Sequence, residues 1–316
     1  MARCDAVIGG TFALRYFERV NWGGPLEVLV QQGLGPELFS KYLSDTAGYS
    51  KPRAKNYPNG FASQTFQNDD DSKPKILLHT TNCPPAHFIL RCYEFTLEVN
   101  ILSWNKAYSV FPMPAYIQRN SYLLKEWGEI AGVREWLRFT CQTGWNVKGV
   151  MWPEEQRCNH PIRERRRVGD RYTWTIPFDT RNVEPSKTPD YVLEHACFKI
   201  DLSMSYDDDK SYDYAQEDVR HYTIKANTLE SRVLKHTYLY GDVDMMNFIS
   251  PRLHSSTMLE LRKLDPAQRP ANYLEMLRNR GDIDRALGDF DRPATWTYRD
   301  NEFSTWYKAF ERYKPE

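Results

Sequence analysis

The residues best placed to do chemistry lie near the start of the chain. Gly9-Gly10-Thr11 closes a short apolar run, Ala6–Ile8, and opens an amphipathic stretch. Small residues at the start of a helix let backbone N–H groups approach phosphate oxygens, so such a turn can cradle a phosphate. Glu27 follows inside the alternating segment Leu26–Val30, and Glu94 and Glu98 come later. Carboxylates at i and i+2 of a strand share one face and can hold Mg²⁺. The bland alternatives are a strand-to-helix turn capped by Thr11 and a solvent-facing Glu27 on an edge strand.

Other sets of residues compete with this one. Cys158-Asn-His160 and His195-Ala-Cys197 place a thiol and an imidazole two residues apart, so an extended backbone would aim each pair to one side. Together they make a Cys₂His₂ set suited to Zn²⁺, although C-x-H is not the usual finger spacing. Arg163, Arg165, Arg166, Arg167 and Arg171 form the one basic cluster, with Tyr172 and Trp174 available to stack on bases. Glu164 and Asp170 interrupt it, which suits a solvated, salt-bridged face. Asp242-Val243-Asp244, Asp282-Ile283-Asp284 and the run Asp69–Asp71 read as surface acids. No Ser-His-Asp or Cys-His order stands out, and Gly33-x-Gly35 is too short for a dinucleotide loop.

Positioning these residues requires the following elements. Thr11 starts a helix carrying Phe12, Leu14, Tyr16 and Phe17, and Gly23-Gly24-Pro25 marks a turn. Leu26–Val30 is a strand with Leu26, Val28 and Val30 on one face and Glu27 and Leu29 on the other. A short helix over Pro36–Leu43 precedes a polar loop at 50–74. Ile76–Thr80 is a strand, Ala86–Tyr93 a helix and Phe95–Trp104 a third strand. A long helix spans Arg119–Phe139, Tyr172–Ile176 and Cys197–Met204 are strands, and Tyr206–Asp218 is an exposed acidic stretch. Helices are expected at about 257–264, 271–279 and 301–312.

The chain has 316 residues, 41% of them hydrophobic, with 42 basic and 42 acidic side chains. That supports a folded core and excludes a globally basic nucleic-acid coat. Six cysteines are too sparse for a disulfide scaffold, and the first twenty residues do not read as a secretory signal. No run reaches the ~20 apolar residues of a membrane span. These features predict a cytoplasmic or nuclear protein without a membrane partner.

The segment IGGTFALRYFERVNWGGPLEVLV resembles the Gly-Ser … Asp-x-Asp signature of the DNA-polymerase-beta-like nucleotidyltransferase superfamily. With CYEFTLEVNILSWNKAYSVFP, EIAGVREWLRFTCQTGW and RRRVGDRYTWTIP, it is similar to a large group of fungal proteins of uncharacterised activity. The resemblance covers roughly residues 6–180. It implies a nucleotide cradle at Gly9, Gly10 and Thr11 and a catalytic acid at Glu27. It also puts Pro25 at the first acid's position and Ile76-Leu77-Leu78 on the strand of the third, so most of the metal clamp is missing.

The expected fold is therefore α+β: a small mixed sheet with flanking helices over residues 1–115, nucleotidyltransferase-like, and a helical and strand-containing part over 116–316 that begins with a bridging helix. The helix that Thr11 starts should present its N-terminus to the C-terminal half of the Leu26–Val30 strand. The expected function is binding or regulation by a degenerate, catalytically impaired transferase fold, with a nucleotide or a protein as partner and no required cofactor. The alternatives are an active Mg²⁺-dependent transferase using Glu27, Glu94 or Glu98, and a nucleic-acid module using Arg163–Arg171.

Overall fold

The computed structural model describes residues 1–20, 23–50, 53–56, 62–125, 133–149, 162, 165–204, 220–278, 283–288 and 290–313. The chain opens with β1 (Val7–Gly9), α1 (Gly10–Glu18), β2 (Leu26–Gln31) and α2 (Leu34–Asp45). β3 (Arg53–Asn56), β4 (Ala62–Phe66), β5 (Ile76–Thr81) and α3 (Pro85–Cys92) follow. Next come β6 (Asn100–Leu102), β7 (Lys106–Ser109), β8 (Asn120–Tyr122), α4 (Val133–Thr143) and β9 (Asn146–Lys148). The remainder holds β10 (Arg165–Arg167), β11 (Trp174–Pro177), α5 (Asp190–Glu194), β12 (Cys197–Met204), β13 (Arg220–Lys225), β14 (Asn227–Leu229) and β15 (Tyr238–Tyr240). It ends in α6 (Val243–Lys263), α7 (Tyr273–Arg278), α8 (Ile283–Leu287) and α9 (Asp300–Tyr313).

The fold is mixed α+β, and its sheet is larger than the composition of the first third suggests. Eight strands run in the order β11-β7-β6-β1-β2-β5-β4-β3. β1 and β2 are antiparallel, and β2 and β5 are parallel, with Glu27 opposite Leu77. Alternation sorts the β2 side chains as the sequence predicts. Val28 and Val30 bury against Phe39 and Leu43 of α2 and against Phe66, Ile76 and Leu78, while Leu29 joins Ile89 and Ile101 on the other face.

Several expectations need correction. The polar 50–74 segment contributes β3 and β4, because hydrogen bonding of β4 to β5, and of β3 to β4, supplies what its polar side chains do not. Phe95–Trp104 is not one strand: a 3-10 turn occupies Thr96–Glu98 and only Asn100–Leu102 is extended. Arg119 does not begin a helix. It has a positive φ of 54° and leads into β8, and the helix starts no earlier among the described residues than Val133. The C-terminal helix expected at 257–264 is the last third of the 21-residue α6.

β11 completes the sheet edge from beyond residue 115, pairing with β7, and the largest core joins Val7, Leu29 and Ile101 to Phe198, Tyr222 and Leu239. A second core gathers α6 and α9 around Ile249, Leu253, Phe303 and Phe310. No described helix is long and apolar enough to cross a membrane.

Candidate functional site

The start of α1 is where the predicted cradle lies. Gly9 is the N-cap, and no side chain caps the helix from within it, so Thr11 is not the cap the sequence suggests. The partner comes from β2. The Glu27 carboxyl stands against Gly10 at the positive end of the helix, beside the Thr11 N–H. The Tyr93 hydroxyl lies against Glu27 and the Gly10 N–H without well-formed hydrogen-bond geometry.

The two glycines make room for these groups. A Cβ on Gly10 would sit 2.4 Å from the Glu27 carboxyl carbon, and one on Gly9 would sit 2.4 Å from the Tyr93 oxygen. Gly10 also has a φ of +61°, a conformation that a side chain disfavours. The Gly-Gly pair thus admits the protein's own carboxylate and phenol to the positions from which a helix start would grip a phosphate.

Burial raises the pKa of each acid here. Burial pushes the Glu27 carboxyl up, opposed by the Thr11 N–H, Tyr93 and the nearby Arg15 guanidinium. Arg15 is itself 9% exposed and lies 5.1 Å from the Phe12 ring centre. Glu98 is raised to about 8, mainly by burial and further by the charges of Glu94 and Glu27, although it accepts the Glu94 and Phe95 N–H groups at 3.2 Å. Glu94 is raised too, by burial. His79 Nε2 stands 4.0 Å from the Glu27 carboxylate, and burial lowers His79 to about 4, which leaves it neutral near pH 7.

The resemblance sets the third acid on β5. There Leu77 lies opposite Glu27, and the polar neighbour is a neutral histidine. Glu27 is not on an edge: β2 is an interior strand between β1 and β5. It stands at the second residue of β2, so α1 faces the N-terminal half of that strand, not the C-terminal half. Tyr93, His79 and Arg15 are partners the sequence did not single out. Tyr93 and His79 belong to elements far along the chain, and no local pattern links them to Gly10.

The other predicted sites come apart. Cys158, His160 and Arg163 lie outside the described residues. His195 is the C-cap of α5 and not extended; its Nδ1 lies 2.8 Å from the Tyr191 carbonyl and its ring meets Tyr307 edge-on. Cys197 is buried at the start of β12 and donates to the His195 carbonyl, with burial raising its thiol. Among the described residues, no group of three or more His, Cys, Asp or Glu is arranged to hold a metal ion.

Arg165, Arg166 and Arg167 turn inward, whereas Arg171 is exposed. Arg165 pairs with Asp242 and Asp244 and covers the Phe310 ring. Arg166 is 4% exposed, pairs with Asp170, donates to the Val110 carbonyl and lies near the Phe111 and Tyr172 rings. Arg167 donates to the Glu194 carbonyl and lies over Tyr307, and Arg171 lies over Tyr172. Trp174 stacks on Tyr116 at 5.7 Å. A solvated face does not describe Arg166, because aromatic rings and a carboxylate replace its water. Asp242 is the N-cap of α6, accepting from Met245, and Asp284 accepts the Arg232 N–H, so neither is an idle surface acid. Asp282 lies outside the described residues. Asp70 closes a local turn onto Ser72.

Comparison with known proteins finds no matching family, no matching curated protein and no matching solved structure.

Proposed function

We propose that this chain is a binding or regulatory protein on a degenerate nucleotidyltransferase-like core, rather than a working transferase. The observation that carries this reading is the place of Glu27. Its carboxyl fills the space that Gly10 leaves open at the start of α1, beside the Thr11 N–H. A phosphate there would meet a carboxylate instead of free N–H donors. The same carboxylate would have to turn away from the helix to join a metal clamp, and across from it stand Leu77 and His79. A two-metal transfer needs several ionised acids converging on the ions. Here burial disfavours ionisation of Glu27 and Glu98 alike.

The order β1, α1, antiparallel β2, then parallel β5 beside β2 supports the relation to that superfamily. The test is a transfer assay with Mg²⁺ or Mn²⁺ and each labelled nucleoside triphosphate. Its readouts are label on the protein, on added oligonucleotide and on added sugar phosphate. No transfer is expected. Transfer that disappears in Glu27→Gln would overturn the reading and install the active-enzyme alternative.

A further inference from the structure

A polar cleft of about 420 Å³ lies in the C-terminal part, lined by Arg232, Lys235, His236, Arg292, Ser231 and Thr237 together with Glu230, Leu234 and Asp284. Its volume falls within the usual range for small-molecule sites. The wall is the connection between β14 and β15, and its backbone is held from beneath. Asp300, 7% exposed, accepts the Lys235 N–H at 2.8 Å, the His236 N–H at 3.1 Å and the Tyr238 hydroxyl at 3.1 Å. The Arg232 carbonyl accepts from the Trp296 indole at 2.9 Å, and Arg299 N–H donates to the Val233 carbonyl at 2.7 Å. The loop is therefore fixed before any ligand arrives, which reduces the ordering cost of binding.

Charge in the cleft is uneven in its availability. Asp284 is engaged by the Arg232 N–H at 2.7 Å, and Glu230 by the Thr237 hydroxyl at 3.2 Å. Lys235 and Arg292 are exposed at the rim, and Arg232 spends one guanidinium nitrogen on the Gly288 carbonyl. We infer that the cleft binds the phosphate group of a small polar phosphate monoester, gripped by Arg232, Lys235 and Arg292, with the Ser231 and Thr237 hydroxyls, which donate to Asp284 and Glu230, left to accept from hydroxyls on the rest of the molecule. Arginine and lysine together suit a phosphate dianion. Among the described residues, the lining includes no tryptophan, tyrosine or phenylalanine to stack a base, which favours a sugar-phosphate-like ligand over a nucleotide. This site is separate from the Glu27 cluster and does not depend on how that cluster is read.

The experiment is thermal unfolding of the full chain with glucose 6-phosphate, inorganic phosphate or glucose, at ionic strength matched with NaCl. The expected result is a saturable rise in Tm with glucose 6-phosphate, a smaller one with inorganic phosphate and none with glucose. Lys235→Ala with Arg292→Ala should weaken binding by about tenfold or more. Both side chains are exposed, so the unliganded Tm should hold. Glu27→Gln should leave this binding intact. No rise at about 10 mM ester, or the same rise in the double variant, would overturn the proposal. Inorganic phosphate binding as tightly as the ester would overturn the assignment to an ester and leave a free-phosphate site.

Discussion

Glu98 carries a consequence that can be measured. Its carboxyl is raised from 4.5 to about 8, so the folded state holds its proton more tightly than the unfolded chain does. The stability this contributes is complete below pH 4.5 and is lost as pH rises through 8. Glu98→Gln keeps an acceptor for the Glu94 and Phe95 N–H groups and removes the titration. The variant should match the parent near pH 4.5 and be more stable by roughly 4 kcal/mol at pH 8.5, measured by urea unfolding. An equal stability difference at both pH values would refute the buried-proton account. His79 contributes with the opposite sign: its pKa is depressed from 6.5 to about 4, so its share is lost as pH falls across that window.

At the scale of elements, the α1 start and β2 form one unit whose close fit depends on Gly10. Gly10→Ala forces a side chain into a left-handed conformation and against the Glu27 carboxyl, and should cost about 3 kcal/mol or more. Gly23→Ala meets nothing within 4 Å and should change stability by less than about 0.5 kcal/mol. Equal costs at the two sites in chemical denaturation would argue against the packing described. β10 makes a similar case: Arg166→Ala removes the cation facing Asp170 and the donor to the Val110 carbonyl, while the Tyr172 and Thr173 N–H groups still reach Asp170, and should cost about 2–3 kcal/mol. Oligonucleotide affinity should be weak before and after this change. Sub-micromolar, salt-sensitive binding lost on replacing Arg165–Arg167 would favour the nucleic-acid reading instead. Local pattern made β2 and β12 legible through alternating apolar residues, and β5 through the short apolar run Ile76–Leu78. β3 and β4 were not legible, because their side chains are polar and their strand state depends on pairing, β4 with β5 and β3 with β4. The Gly-Gly-Thr turn was visible as a helix start. What it holds was not, because Glu27 and Tyr93 reach it only through the folded sheet.

Across the whole molecule, one sheet and its cores tie the N-terminal unit to the strands of the second half. Arg165 links β10 to α6 through Asp242 and Asp244, and Glu260, 1% exposed, links α6 to Arg299 before α9. Ligand binding to the folded chain should therefore register as a change in its stability. The central claim is that the predicted cradle is occupied by the protein's own Glu27 and Tyr93, which leaves no competent metal–nucleotide site. The most direct test is a thermal-stability titration of the purified chain with Mg²⁺ or Mn²⁺ and each nucleoside triphosphate, in parallel with Glu27→Gln. A ligand specific for the native state adds about 2.7 kcal/mol at a hundredfold excess over its dissociation constant, a shift that is easily seen. The account predicts no metal-dependent shift at millimolar nucleotide and the same null result in Glu27→Gln. A Mg²⁺-dependent stabilisation that vanishes in Glu27→Gln would contradict it.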